Sequence, residues 1–139
     1  MIRTSVSDKL NLEEIVQLAV IIMKRLERIN YNRTTFSDDD FVRDSFIPPI
    51  MHIGENINHL HPDIGDIITN NHVREIVGMR NRLAHAYLGV DTAILWTSLI
   101  HNVPELGLNA IKVLESKFSC ELAEEKAILK VAQETIEKL

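Results

Sequence analysis

The apolar residues Leu12, Ile15, Ala19, Ile22, Leu26 and Ile29 follow one another at steps of three, four, three, four and three. That spacing draws one apolar stripe along nearly three heptads and predicts a long amphipathic helix. Asn11, with Glu14 three residues on, is the expected cap pair at its start. The polar stretch "NYNRTTFSDDD" then reads as a loop, with Ser37 or Asp38 capping a second helix. That helix carries Phe41, Val42, Phe46, Ile47, Ile50, Ile53, Ile57 and Leu60 on one side. Pro48-Pro49 lies inside it. Each proline removes an N–H donor and crowds the preceding turn, so a break or a sharp kink is expected there.

"HPDIGDIITNN" reads as a linker with turn chemistry at Pro62 and Gly65 and room for one short helical turn. A third helix is expected from near Asn71 through "VREIVGMRNRLAHAY", offering Val73, Ile76, Val77, Leu83 and Ala84 to the core. Gly89 should end it and Asp91 should cap the next helix, "TAILWTSLIHNV". Pro104 either opens the following segment, "ELGLNAIKVLESKF", or bends a continuous helix. The last stretch, "CELAEEKAILKVAQETIEKL", is amphipathic through Leu122, Leu129, Ala132, Ile136 and Leu139, with Ser119 as its expected cap. There is no internal repeat and no convincing strand pattern. The expectation is an all-α, up-and-down bundle of four to five main helices. Residues 1–118 would form the bundle domain, and 119–139 a C-terminal amphipathic helix in the same domain or at a dimer interface.

Composition agrees with that picture. Only five glycines and four prolines occur in 139 residues, a balance that favours helix. The lone Cys120 excludes an intramolecular disulfide framework and suits a reducing cytosol. Acidic and polar residues interrupt every apolar run before membrane length, so the expected location is the cytoplasm, with no membrane partner. A net charge of −5 excludes a broadly basic nucleic-acid surface. The exception is residues 71–90, where Arg74, Arg80 and Arg82 face one acid, Glu75, for a local charge of +2.

Inside that stretch, "GMRNRLAHAY" (78–87) gathers Arg80, Asn81, Arg82, His85 and Tyr87. Asn81 and His85 share a helix face one turn apart, and Arg82 neighbours His85 at i and i+3. Arg80 lies about 140° round the helix from His85 and about 7.5 Å along it. Only a long reach, or a second copy of the helix across a two-fold axis, brings that guanidinium to the imidazole. Arginine plus histidine, without a thiol or a carboxylate cluster, suits a phosphodiester. The guanidinium binds two phosphate oxygens, the imidazole exchanges a proton near neutral pH, and RNA supplies its own 2′-hydroxyl nucleophile. A plainer reading stands beside this one: Arg and His near a helix C-terminus complement the helix dipole. Spacing alone leaves both open.

The remaining polar features carry less. His52 and His59 are seven apart on one helix face, with His61 just beyond, but no further ligand completes a metal set, and no metal is expected. Asp38–Asp40 suit a helix start. Glu55 is a group able to orient Arg80, or a solvated glutamate.

"VREIVGMRNRLAHAYLGVD" (73–91) resembles the signature of the HEPN superfamily in its HepT-like toxin branch: arginine, asparagine, then histidine five positions after the arginine, one residue, and tyrosine. Arg80, Asn81, His85 and Tyr87 fill those places. Upstream, "HIGENINHL" is similar to the family's second-helix segment, with Gly54-Glu55 as its glycine–glutamate pair, and "GVDTAILW" also matches. The similarity runs loosely from Leu12 to Leu114. The resemblance implies a homodimeric helical bundle whose composite cleft is a metal-independent ribonuclease site, with no cofactor. Arg80 and His85 would be catalytic, while Asn81, Tyr87, Arg82 and Glu55 position RNA. It also implies a toxin of a type VII-like toxin–antitoxin pair. The partner would be a minimal nucleotidyltransferase antitoxin, and Tyr87 the acceptor of a transferred AMP. The alternative is a non-catalytic module that binds a nucleotide or the nucleotidyltransferase. Two features depart from the family pattern, Pro48-Pro49 and the helix after Ser119.

Overall fold

The computed structural model describes residues 5–86 and 91–139, with residues 84–86 described by their helical backbone. Every regular element among them is helical: α1 (Val6–Arg28), α2 (Arg33–Asp38), α3 (Asp40–Asp44), α4 (Ile47–His59), α5 (Pro62–Ile68), α6 (Val73–Ala86), α7 (Thr92–Thr97), a π-helical segment (Ser98–Asn102), α8 (Val103–Phe118) and α9 (Ala123–Glu137). The fold is an all-α bundle, as the apolar periodicity predicts. No helix among the described residues is long and apolar enough to cross a membrane.

Helix α1 is the central post, contacting α4, α8 and α9. Its seam residues Leu12, Ile15, Ala19, Ile22 and Leu26 are wholly excluded from solvent. Their burial on the inner face draws on the hydrophobic effect along most of the helix. The helix starts earlier than the Asn11–Glu14 pair suggests. Ser5 caps it, and Asp8 closes a reciprocal capping box, Oδ2 accepting from the Ser5 N–H at 3.0 Å. Asp8 is itself buried and accepts from the His61 N–H at 3.0 Å. One carboxylate thus stabilises a helix start and fastens it to the entrance of α5.

The stretch after α1 is more ordered than a loop. Asn32, whose Oδ1 accepts from the Thr35 N–H, caps α2, and Asp39, not Ser37 or Asp38, caps α3. Phe36 on α2 is fully buried, with its ring 5.6 Å from Phe46 and 5.2 Å from Trp96. The expected break at Pro48-Pro49 is present, between α3 and α4. The prolines occupy the first turn of α4, where a missing N–H costs nothing. Breaking the helix also breaks its register. Phe46, Ile50, Ile53, Ile57 and Leu60 are buried as expected, but Phe41 on α3 is 91% exposed.

Asp91 caps α7, accepting from the Ala93 N–H at 2.8 Å. Residues 92–118 then run as one helical path, widened at Ser98–Asn102, where the Val103 N–H reaches the Ser98 carbonyl five residues back. Pro104 accounts for the widening: it has no N–H for Ile100, and its ring would press on that carbonyl in a regular α-helix. Ser119 is not the cap of the last helix. It ends α8 in a left-handed conformation (φ 53°), and α9 begins at Ala123 without a side-chain cap. Leu129, Ala132 and Ile136 of α9 join the same core.

Candidate functional site

Helix α6 leans chiefly on α4. Its core side is formed by Met79 and Leu83, with Val73, Ile76 and Val77 half-buried. By helical register, positions 74, 78 and 81 face the other way, away from that contact. Arg74 and Asn81 are exposed, in keeping with this, and Arg82, at a different position round the helix, is exposed as well.

Arg80 occupies the flank of α6 next to α4, where a glycine makes room for it. A Cβ at Gly54 would lie 2.6 Å from the Arg80 Cβ and 3.0 Å from its Cγ. With hydrogen there instead, the two helices close up over the arginine stem. One residue further along α4, the Glu55 Oε1 accepts from the Arg80 Nη2 at 2.9 Å. Arg80 Nη1 donates to Asn81 Oδ1, also at 2.9 Å, and Nε is covered from water without a partner among the described residues. The guanidinium is therefore held in one orientation with about a third of the side chain still open to solvent. His52, one turn before Glu55, brings Nδ1 to 3.4 Å from its other oxygen. The carboxyl of Glu55 is held below the usual carboxylate range, first by the hydrogen bond from Arg80, then by that arginine's charge and by His52.

The sequence-selected residues thus divide. Arg80, Asn81 and Glu55 meet in one hydrogen-bonded chain. Arg82 stands apart from it, exposed, on the rim of a hollow that Arg80 also lines. His85 is placed by its backbone in the last turn of α6, and Tyr87, like Gly89, lies outside the described residues. Within one chain, the register of α6 keeps position 85 about 140° round from Arg80. No three His, Cys, Asp or Glu side chains converge among the described residues in the manner of a metal site.

The model of the HepT-like ribonuclease family matches residues 20–113. The chain belongs to the HepT-like ribonuclease family. The matched span takes in Gly54, Glu55, the whole of α6 and the π segment, and leaves α9 outside. Among HepT-like relatives, "Putative RNase TTE0752" of Caldanaerobacter subterraneus subsp. tengcongensis is 28% identical over 111 residues, covering 76% of this chain and 93% of its own. "Putative RNase MJ1380" of Methanocaldococcus jannaschii is 30% identical, covering 68% of this chain and 85% of its own. "Probable ribonuclease HepT" of Thermococcus cleftensis is 37% identical over a shorter span, 39% of this chain and 43% of its own. No solved structure gives a significant match.

Sequence reasoning overlooked two polar residues beside this site, Ser98 and Asn102 of the π segment, which line the hollow next to Arg80. Pro104 was the signal available for them, since a proline in a helical path forces its upstream turn to adjust.

Proposed function

We propose that this protein is an endoribonuclease whose catalytic pair is Arg80 and His85, working without a metal. The observation that carries the reading is the fixed guanidinium. Glu55 and Asn81 hold Arg80 by two hydrogen bonds of 2.9 Å at a glycine-made close approach, in a chain of a ribonuclease family. Such pre-orientation suits a group that must meet charge developing on a phosphate. The 2′-hydroxyl of RNA attacks the adjacent phosphorus and the 5′-oxygen leaves, giving a 2′,3′-cyclic phosphate. His85 takes and returns the proton, and Arg80 steadies the five-coordinate oxyanion. Asn81, Arg82 and Tyr87 contact the strand, and Glu55 positions Arg80.

The divergence of positions 80 and 85 on α6 supports a site shared between two copies, with arginine from one chain meeting histidine from the other. The resemblance of the motif supports a toxin whose antitoxin is a minimal nucleotidyltransferase. An AMP placed on Tyr87 would set a bulky anion beside the phosphate-binding arginine and silence the site.

The test is cleavage of total RNA by the purified dimer, with and without EDTA. The expected result is EDTA-insensitive cutting with 2′,3′-cyclic phosphate ends. His85→Ala should slow it by about 10²–10⁴-fold at unchanged thermal stability. A folded dimer that cuts no RNA points instead to a binding module, and full activity in His85→Ala would refute the catalytic assignment.

A further inference from the structure

Between α6 and the α7–π–α8 path lies a hollow of about 280 Å³ that phosphodiester chemistry leaves unused. Its walls are apolar, formed among others by Ile50, Ile76, Met79, Ile94 and Leu106. Its polar groups are few and separately placed. Arg80 and Arg82 stand on the α6 side with Glu75, and Ser98 and Asn102 on the opposite side. The volume sits near the lower limit of ligand pockets, about 300 Å³, which suits one flat heterocycle better than a cofactor.

The geometry points to a subsite for a single unpaired nucleobase of the RNA substrate, adenine above the others, next to the nucleotide whose phosphate Arg80 holds. The proposal rests on the ribonuclease reading for its substrate. Three observations converge on it. Arg80 is shared between the hollow and the Glu55–Asn81 chain, so a base inside it lies within one nucleotide of the phosphate site. Apolar walls accept the face of a splayed-out base, and single-stranded RNA is the form that presents one. The π segment turns both its first residue, Ser98, and its last, Asn102, toward the hollow. Such bulges often sit at functional sites. An asparagine amide offers a donor and an acceptor side by side, the pair that complements adenine with two hydrogen bonds. Arg80 and Arg82 draw phosphate to the α6 wall of the hollow, and the apolar walls are left for the base, so base and backbone have separate places.

The experiment titrates the full-length protein with the four nucleoside 5′-monophosphates and with ribose 5-phosphate, followed by NMR shift changes. Adenosine monophosphate should bind about tenfold or more tightly than ribose 5-phosphate, the gain a bidentate base contact supplies. Asn102→Ala, at an exposed position, should erase the preference for adenine while phosphate binding persists. Ile76→Trp, at a half-buried position, should fill the hollow and reduce all four nucleotides to the level of ribose 5-phosphate. Equal affinity for all five compounds overturns the proposal, as does a base preference that survives both variants. Equal affinity is also what a hollow built for a partner protein's apolar side chain would give. Sequencing of cleavage ends makes a second arm: an adenine bias at one position in the wild type should disappear in Asn102→Ala. If the wild type cuts nothing yet still prefers adenosine monophosphate, the ribonuclease reading falls and the subsite stands.

Discussion

Two glycines let helices approach closely here, and they do so for different ends. At Gly107 on α8, an added Cβ would sit 2.9 Å from the Ala19 Cβ of α1 and 2.7 Å from the Leu129 Cδ1 of α9. Everything it touches is apolar core. At Gly54 on α4, the added Cβ would sit 2.6 Å from the Arg80 Cβ. There the close approach fixes a charged side chain at the protein surface. The same device, a missing methyl, supplies packing in one place and aim in the other. Burial at each end shows why. Ala19 is fully excluded from solvent and Leu129 likewise, whereas Arg80 keeps about a third of its side chain open.

The comparison breaks if the two glycines respond alike. Gly54→Ala should lower cleavage by about 10²-fold, since displacement of a catalytic group by about 1 Å is enough for that. Urea denaturation should show stability falling by about 1–3 kcal/mol from overpacking. Gly107→Ala should lose a similar 1–3 kcal/mol while turnover per folded molecule stays at the wild-type value. Turnover impaired equally in both variants would mean that Gly54 acts through general packing alone.

A smaller effect is expected at Glu55. Glu55→Gln keeps the shape but removes the charge that holds Arg80, so kcat should fall several-fold with little change in KM. The pH dependence has a definite sign. The carboxyl of Glu55 is lowered in the folded protein from its ordinary 4.5. Its contribution is therefore complete above about that pH and lost as the pH falls through the lower folded value. The urea midpoints of wild type and Glu55→Gln should differ by a constant amount from neutrality down to that point and converge below it. The smallest effect belongs to Gly78, in the middle of α6, where an added Cβ meets no described atom within 4 Å. Gly78→Ala should stabilise the protein by about 0.4–1 kcal/mol. Stabilisation accompanied by lost cleavage would show that RNA or a second chain presses on α6 at that point.

Legibility in the sequence followed the same divide. The α1 seam was readable because five of its six residues do nothing but pack, so their spacing is unmixed. Asp91 and the proline break were readable because caps and prolines act locally. Ser5 and Asp8 were missed because the apolar stripe begins only at Leu12, well over one turn past the true start of the helix at Val6. Phe41 was misplaced because its phase was carried across a break that resets it. On α6 the apolar positions Val73, Ile76, Val77 and Leu83 were readable, as their packing in the core bears out, while the polar positions between them carried no such pattern. The Arg80–Glu55 contact joins residues 25 apart in sequence, and Glu55 was singled out without anything local to decide between an ion pair and a solvated carboxylate. Ser98 and Asn102 were harder to read, since Pro104 signals that its upstream turn adjusts but not which side chains that turn brings to the hollow.

The π segment has a consequence for lineage as well as for shape. A widened turn holds one residue more than a regular α-helix spanning the same ends, so α7 is rotated about 100° relative to the phase that α8 alone would dictate. Deleting one residue between Trp96 and Pro104 would remove the widening, set the Pro104 ring against the carbonyl four residues back, and swing either Trp96 away from Phe36 or Leu106 out of the core. A relative without the bulge must therefore have been refitted on both sides of it. A one-residue gap at this point in an alignment marks a heritable change of register, and not a neutral slip in a loop.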